Sequence, residues 1–163
     1  MEMPLFIVSG CSGSGKSTMA EEVGKIMRDY AVFDMDIIVN RNDYQTACNN
    51  WLRIALFLSI SGHSTILFGH IPDPYNIHIC NYIHCFDHIY YLHLHCDNAD
   101  RTERLLARGG VWTLELIQHE NRLADLLINR AQNSNPAIPV VNTSKLTVSE
   151  TAREIKRWVL SHS

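Results

Sequence analysis

The sequence predicts an α/β fold with a five-stranded parallel sheet between two layers of helices. Five short, continuous apolar runs alternate with longer stretches in which apolar residues recur at helical spacing, which is the pattern of a doubly wound parallel sheet. No internal repeat, low-complexity tract or linker-like segment divides the 163 residues. We therefore expect one domain over residues 1–163.

The first half of the chain predicts three strands and two helices. The strands are the apolar runs 5–10, 31–36 and 64–70. Apolar residues recur at helical spacing between positions 19 and 27, which predicts a helix that begins near Gly15. The segment 44–60 places Leu52 and Leu56 on one face of a second helix.

The second half continues the same alternation. Residues 88–96 are rich in β-branched and aromatic side chains and predict a fourth strand. Two helices and a fifth strand follow, over 98–108, 114–132 and 137–143. The closing helix, 147–160, opens with Thr147 and Glu150 at the spacing of a capping box.

Charge and cysteine content restrict the class of protein. Fourteen basic and seventeen acidic residues give a net charge of −3, so we expect no nucleic-acid partner. The five cysteines are odd in number and follow no disulfide pattern, which favours reduced thiols in the cytoplasm. A strand-like run begins directly after Met1, and no apolar run is long enough to span a membrane. We expect a cytoplasmic monomer or homodimer without a leader or a membrane partner.

The glycine-rich stretch between the first strand and the first helix has a specific chemistry. Gly10–Ser17, with the sequence GCSGSGKS, matches the phosphate-binding loop pattern G-x-x-x-x-G-K-[ST]. Such a loop turns several backbone N–H groups around one anion, and glycine permits the dihedral angles that this requires. Lys16 is expected to reach the β- and γ-phosphates of a nucleoside triphosphate, and the Ser17 hydroxyl to bind Mg²⁺. The predicted nucleotide-binding residues of this segment are Gly10, Ser12, Gly13, Ser14, Gly15, Lys16, Ser17 and Thr18.

Other parts of the chain narrow the class of nucleotide-binding protein. The base-reading motif N-K-x-D of GTPases does not occur, and the chain is short for a motor ATPase. Small phosphotransferases remain. Two functions stay open at this point: a kinase with a small-molecule acceptor, or a regulatory module that binds nucleotide and hydrolyses it slowly or not at all.

Three segments besides the loop resemble a known group of enzymes. They are FDMDIIV after the second strand, YYLHLHCDNADRTERLLARGG from the fourth strand onward, and VVNTSKLTVSETAREIKRWV at the fifth strand. Together with the loop, they are similar to the shikimate kinase, gluconate kinase, chloramphenicol phosphotransferase and nucleoside-monophosphate kinase group of P-loop kinases. The resemblance implies a three-layer P-loop fold, ATP as phosphoryl donor, Mg²⁺, a small-molecule acceptor and a short lid at about 108–122.

Asp34 and Asp36 are one residue apart, so on a strand both side chains would point to one face. By the resemblance, Asp34 would hold Mg²⁺ through water together with Ser17. Asp36 would bind the acceptor and act as its base, or only orient it, and would be catalytic together with Lys16. A solvated strand end with a helix cap is the alternative interpretation of this pair.

Arg104 and Arg108 are four residues apart and therefore share one helical face. By the resemblance, Arg104 lies against adenine and Arg108 contacts phosphate as a catalytic residue on a closing lid. Thr143 and Ser144, in the turn after the fifth strand, would complete the nucleotide site. Salt bridges to Asp100 or Glu103 are the alternative for the two arginines, and a helix C-cap is the alternative for the glycine pair that follows them.

Four residues are candidates for the acceptor site: Asp36, Arg53, His70 and Arg122. His70 ends the third strand, Arg53 lies on the helix after Asp36, and Arg122 follows the proposed lid. An ordinary surface or loop position is the alternative for each of the last three. The other histidines and the cysteines fit no zinc spacing, so we expect no structural metal.

Overall fold

Five parallel strands form the centre of the computed structural model, which describes residues 2–163. The strands are β1 (Pro4–Ser9), β2 (Ala31–Asp34), β3 (Thr65–Phe68), β4 (His88–His95) and β5 (Val140–Asn142). The helices are α1 (Lys16–Ile26), α2 (Tyr44–Ile60), α3 (Asn98–Arg108), α4 (Leu114–Asn133) and α5 (Val148–Leu160). Short 3-10 helices lie at Met35–Ile38, Ile77–Ile79 and Ile83–Cys85. The five-stranded parallel α/β fold predicted from the sequence is confirmed.

The two faces of the sheet are both covered, as the continuous apolar runs require. Phe6 and Val8 of β1 point to one face and pack against α1 and α5. Leu5 and Ile7 point to the other face and pack against α2 and the segment around residues 77–86. The alternation along a single strand thus produces two separate cores and three layers.

The strand order β2-β3-β1-β4-β5 places β1 at the centre of the sheet. The chain passes from β1 to β2 at one edge, and from β3 across β1 to β4 on the other side. The connections therefore diverge above the carboxyl end of β1. Open α/β sheets bind ligands in the crevice at such a point, and the loop 10–15 follows β1 there.

The second strand ends earlier than the sequence predicted. It stops at Asp34, and residues 35–38 form a 3-10 helix whose first turn is capped by Asp34, because Asp34 Oδ1 accepts a 3.0 Å hydrogen bond from the Asp36 N–H. Met35 turns into the core, where its carbonyl accepts a 2.9 Å hydrogen bond from Trp51 Nε1. The prediction that Asp34 and Asp36 share one face of a strand is therefore wrong, and the capping alternative describes Asp34.

Other boundaries differ by a few residues. The fifth strand covers only Val140–Asn142, and the capping box of Thr147 and Glu150 is confirmed by reciprocal hydrogen bonds. Residues 109–113 link α3 to α4, so most of the segment 108–122 is the start of α4. Within residues 2–163, no helix combines the length and the apolarity needed to cross a bilayer.

Candidate active site

The loop between β1 and α1 is tightly packed at Gly10, against the loop residue Ser14 and the backbone of β4. A Cβ atom at Gly10 would lie 2.5 Å from Ser14 Oγ and 2.7 Å from the Leu94 carbonyl oxygen, so no side chain fits at this position. Gly15, directly before α1, has φ +99° in the left-handed region, which favours glycine. The loop thus delivers the chain to the N-terminus of α1, where free N–H groups and the helix dipole attract anions.

Lys16 lies at the centre of this loop. Its Nζ donates hydrogen bonds of 2.6 Å to the Gly10 carbonyl and 2.8 Å to the Cys11 carbonyl. Burial lowers the pKa of Lys16, and the nearby carboxylate of Asp36 opposes that shift. The ammonium is therefore poorly solvated and has no ionic partner within 4 Å among residues 2–163. The oxygens of a phosphate bound in the loop would give the Lys16 ammonium an ionic partner.

Ser17 and Asp34 meet where α1 begins and β2 ends. Ser17 Oγ donates a 2.6 Å hydrogen bond to Asp34 Oδ2. A hydroxyl and a carboxylate at this distance fit Mg²⁺, which usually takes one or two protein ligands and completes its octahedron with phosphate oxygens and water. No group of three acidic, histidine or cysteine side chains that could hold a metal alone occurs in residues 2–163. The two oxygen donors of Ser17 and Asp34 suit a cation that keeps ligands from phosphate or water.

A small cavity of about 160 Å³ lies on one side of the loop. Its lining residues are Gly10, Cys11, Ser12, Lys16, Asp36, Tyr44, His70, Pro72, Glu120 and Leu123. Asp36, on the first turn of the 3-10 helix, faces this space beside Lys16. Burial raises the pKa of the Asp36 carboxyl, Lys16 lowers it, and Asp34 raises it further. A carboxylate of raised pKa is a better proton acceptor than an ordinary aspartate.

His70 also lines the small cavity, and a second, more apolar cavity of about 350 Å³ begins on its other side. Burial lowers the pKa of His70, with a further lowering from the charge of Lys16. The imidazole is therefore neutral at physiological pH, with one nitrogen that donates and one that accepts. It suits a hydroxyl better than an anion.

The structure does not bring Arg53 and Arg122 to this cavity. Arg53 is exposed on α2, and Arg122 is exposed on α4. Neither residue lines the space beside Asp36. Arg122 points away because successive residues of a helix are turned by about 100° around its axis. Glu120 and Leu123 face the cavity, so Arg122, two positions after Glu120, lies on another face of α4.

Glu120 is a charged residue of the small cavity that sequence reasoning missed. Its Oε2 accepts a 3.3 Å hydrogen bond from the Ser12 N–H of the loop. Ile117 and Ala124, which are buried on the same face of α4, place Glu120 in an apolar stripe at helical spacing. A carboxylate within such a stripe was the available signal.

A larger cavity of about 540 Å³ opens on the other side of the loop. Its lining residues are Gly13, Gly15, Thr18, Met19, Arg104, Ala107, Arg108, Thr143, Leu146, Thr147, Val148 and Thr151. The predicted residues Thr18, Arg104, Arg108 and Thr143 are thus brought together with the loop. Ser144 lies outside this lining, and its Oγ accepts a 2.8 Å hydrogen bond from the Asp97 N–H instead. Leu146 and Val148, which were not predicted, provide an apolar surface.

Arg104 joins the loop to the end of β5. Its guanidinium donates to the Gly13 carbonyl at 3.1 Å, to Thr143 Oγ1 at 3.0 Å and to the Thr143 carbonyl at 3.2 Å. Neither Arg104 nor Arg108 forms an ion pair with Asp100 or Glu103 in residues 2–163. The salt-bridge alternative is therefore wrong, and Arg108 is exposed at the cavity rim with its charge unpaired.

No protein-family model matches the sequence, and no curated protein is significantly similar to it. Solved structures do share its fold. A sugar kinase from a Janibacter species superposes on this chain with a TM-score of 0.66 at 16% sequence identity. The alignment covers 98% of this chain and 95% of the sugar kinase. Shikimate kinase from Acinetobacter baumannii in complex with shikimate gives 0.58 at 15% identity, with 99% and 95% covered. A gluconokinase from Sinorhizobium meliloti gives 0.54 at 14%, with both chains covered completely (100% of each).

These similarities agree with the sequence resemblance to small P-loop kinases. The identities are low, so what they establish is the fold. The motif Gly10–Ser17 occupies the turn between β1 and α1, as the P-loop pattern requires. The chain therefore has the three-layer α/β fold of the small P-loop kinases, and no individual member of that group is identified.

Proposed function

We propose that the protein is a small-molecule kinase that transfers the γ-phosphoryl group of ATP to a hydroxyl or phosphate of a small metabolite. The observation that carries this proposal is that one loop lines two cavities. Gly13 and Gly15 face the larger cavity, and Gly10 and Ser12 face the smaller one, which also holds Lys16 and Asp36. A nucleotide in the first cavity would present its terminal phosphate at Lys16, directly beside an acceptor in the second.

The larger cavity suits the nucleoside. Leu146 and Val148 offer an apolar surface to a base, and Thr147 offers a hydroxyl at the rim. Arg104 and Arg108 bring positive charge to the same side. Solved structures that share the fold include a sugar kinase, a gluconokinase and a shikimate kinase, which supports a phosphoryl-transfer function.

Ser17 and Asp34 would hold Mg²⁺, which supplies charge neutralisation on the β- and γ-phosphate oxygens when it is bound. Lys16 would exchange its bonds to the loop carbonyls for bonds to the phosphates. Asp36 would accept the proton of the acceptor hydroxyl as the new oxygen–phosphorus bond forms and the bond to the β-phosphate oxygen breaks. The products are the phosphorylated acceptor and ADP, with the proton on Asp36.

The decisive experiment measures ADP release with ATP and Mg²⁺, with and without pools of hydroxylated metabolites. We expect release that depends on the pool, that is lost in Lys16→Ala and that persists in the exposed control Lys25→Ala. A regulatory module would bind ATP and remain indifferent to every pool. Indifference of the wild-type protein, with intact ATP binding, would contradict the kinase assignment.

A further inference from the structure

The smaller cavity, which the proposed function assigns to the acceptor and which is called the acceptor cavity below, is lined by more acidic than basic side chains. Two carboxylates, Asp36 and Glu120, face the space, and Lys16 is the only cationic side chain in its lining. A terminal phosphate bound in the loop would take the ammonium of Lys16 as its partner. Two negative side chains would then remain for the acceptor.

No arginine lines this smaller cavity. Arg53 and Arg122 point to solvent, and Arg104 and Arg108 face the nucleotide cavity. Arg130, whose charge contributes to the lowered pKa of His70, is exposed and lies 3.5 Å from Asp73 Oδ2. A carboxylate or phosphate on the acceptor would therefore meet Asp36 and Glu120 without an arginine to bind it, which is unfavourable because like charges repel at short range.

Glu120 itself lacks a strong partner. Its carboxylate is partly buried and forms one long hydrogen bond, 3.3 Å from the Ser12 N–H, and it makes no ion pair within residues 2–163. Ser12 belongs to the loop that receives the phosphates, so a bound triphosphate would repel the carboxylate from that N–H. A partly buried carboxylate that loses its donor is stabilised by a cation.

We propose that the acceptor is a small hydroxylated organic cation, an amino alcohol or amino sugar, whose ammonium is bound by Glu120 while its reacting hydroxyl lies at Asp36. This inference rests on the proposed kinase function and specifies its substrate class. Neutral His70 and the Tyr44 hydroxyl would bind further hydroxyls. The cavity volume of about 160 Å³ is below the range of drug-sized sites, roughly 300–1,000 Å³, so the acceptor is small.

The test compares compounds of similar size that carry a positive charge, no charge or a negative charge, with ADP and Mg²⁺ present. One set is ethanolamine, ethylene glycol and glycolate, and the other is 2-amino-2-deoxyglucose, glucose and glucuronate. Affinities are measured by thermal shift and calorimetry at constant ionic strength. We expect the amine of at least one set to bind best. In Glu120→Gln its affinity should fall about tenfold or more, as for loss of a charged hydrogen-bond partner, whereas Glu115→Gln, exposed on the same helix, should leave it unchanged.

Equal or tighter binding of the carboxylates overturns the inference, and so does an absence of preference or of any binding in both sets. The kinase assignment is read separately, from phosphoryl transfer. Phosphorylation of glycolate or glucuronate would sustain the kinase function and refute the cationic acceptor. If amines bind in a manner that depends on Glu120 but no phosphoryl transfer occurs, the cationic ligand is sustained and the kinase function is refuted.

Discussion

Ser17 Oγ donates a 2.6 Å hydrogen bond to Asp34 Oδ2, which joins the first turn of α1 to the end of β2. Sixteen residues lie between Ser17 and Asp34 in the sequence, yet the parallel sheet brings the two side chains to the same edge. The bond holds together a hydroxyl and a carboxylate that would help to bind Mg²⁺. It also holds the turn from which Asp36 faces the smaller cavity.

This relationship predicts the effect of Asp34→Asn. The amide keeps the shape of the side chain but removes the charge that attracts Mg²⁺, so we expect the Mg²⁺ concentration for half-maximal activity to rise, by about tenfold. Titration of Mg²⁺ at saturating ATP checks this. Asp29→Asn, an exposed aspartate away from the loop, is the control, and an unchanged Mg²⁺ requirement in Asp34→Asn would refute the metal site.

Asp36 should control the acid side of the pH–rate profile. Burial raises its folded pKa above the ordinary value of 3.8, so the carboxylate becomes protonated, and loses its function as a base, at a higher pH than an ordinary aspartate. We expect activity to fall as pH decreases through that raised pKa. Asp36→Asn should bind ATP normally and transfer phosphate about 100-fold more slowly or worse. Full activity in that variant, or an acid limb at or below pH 3.8, would count against Asp36 as the base.

Arg104→Met should weaken nucleotide binding, because it removes the hydrogen bonds that hold the loop at Gly13 against Thr143. The guanidinium holds Gly13 and Thr143 by three hydrogen bonds, and methionine keeps only part of its packing. We expect ATP affinity to fall by about tenfold, since hydrogen bonds from a charged donor are among the stronger ones. Calorimetric titration with ATP measures the effect. Arg153→Met, exposed on α5, controls for the loss of one surface charge.

Much of the fold could be predicted because its signals are local. Continuous apolar runs identify buried parallel strands, and the pattern of Gly10–Ser17 depends on residues adjacent in sequence. The missed features depend on distant partners. Residues 35–38 leave the strand because the Met35 carbonyl is bound by Trp51 of α2, a contact that no local pattern encodes. The roles of Glu120 and Arg122 follow from the rotation of α4. The only local sign of Glu120 was its place in the apolar stripe of Ile117 and Ala124, and that stripe does not show that Glu120 meets the Ser12 N–H.

His93 should make the protein sensitive to acid. It is buried at the end of β4, beside Ser9 Oγ at 3.3 Å, and burial lowers its pKa from 6.5 to about 4, with further lowering from His95, His70, Lys16 and Arg101. The unfolded chain therefore binds a proton between about pH 6.5 and pH 4 that the folded chain does not. The free energy of unfolding consequently decreases as pH falls through this window.

Urea unfolding at pH 7.0 and pH 5.0 measures that decrease. In His93→Gln, which keeps a hydrogen-bonding partner for Ser9, the difference between the two pH values should shrink. His88→Gln, at the exposed start of β4, should leave it unchanged. An unaltered difference in His93→Gln would show that another group is responsible.

Substitutions at Gly109 and Gly110, the glycine pair after α3, test whether the segment 108–122 acts as a lid. Gly109 and Gly110 have φ +63° and +68°, and a Cβ at either position would meet nothing within 4 Å. Alanine would therefore be opposed only by the left-handed backbone, at about 1 kcal/mol or more for each residue. Gly109 also caps α3, since its N–H donates to the Leu106 carbonyl at 3.1 Å.

The lid and the C-cap make different predictions for Trp112, which is half-buried between the two helices. With Trp51 and Trp158 replaced by phenylalanine, a closing segment should change the Trp112 emission when a non-hydrolysable ATP analogue and acceptor are both bound, and Gly109→Ala with Gly110→Ala should lower kcat several-fold. We expect this outcome, because Arg108 lines the larger cavity directly before the glycines and forms no ion pair within residues 2–163. Closure would carry its charge toward phosphates bound in the loop. Constant emission, with kcat unchanged in the double alanine variant, would leave the glycines as a cap alone.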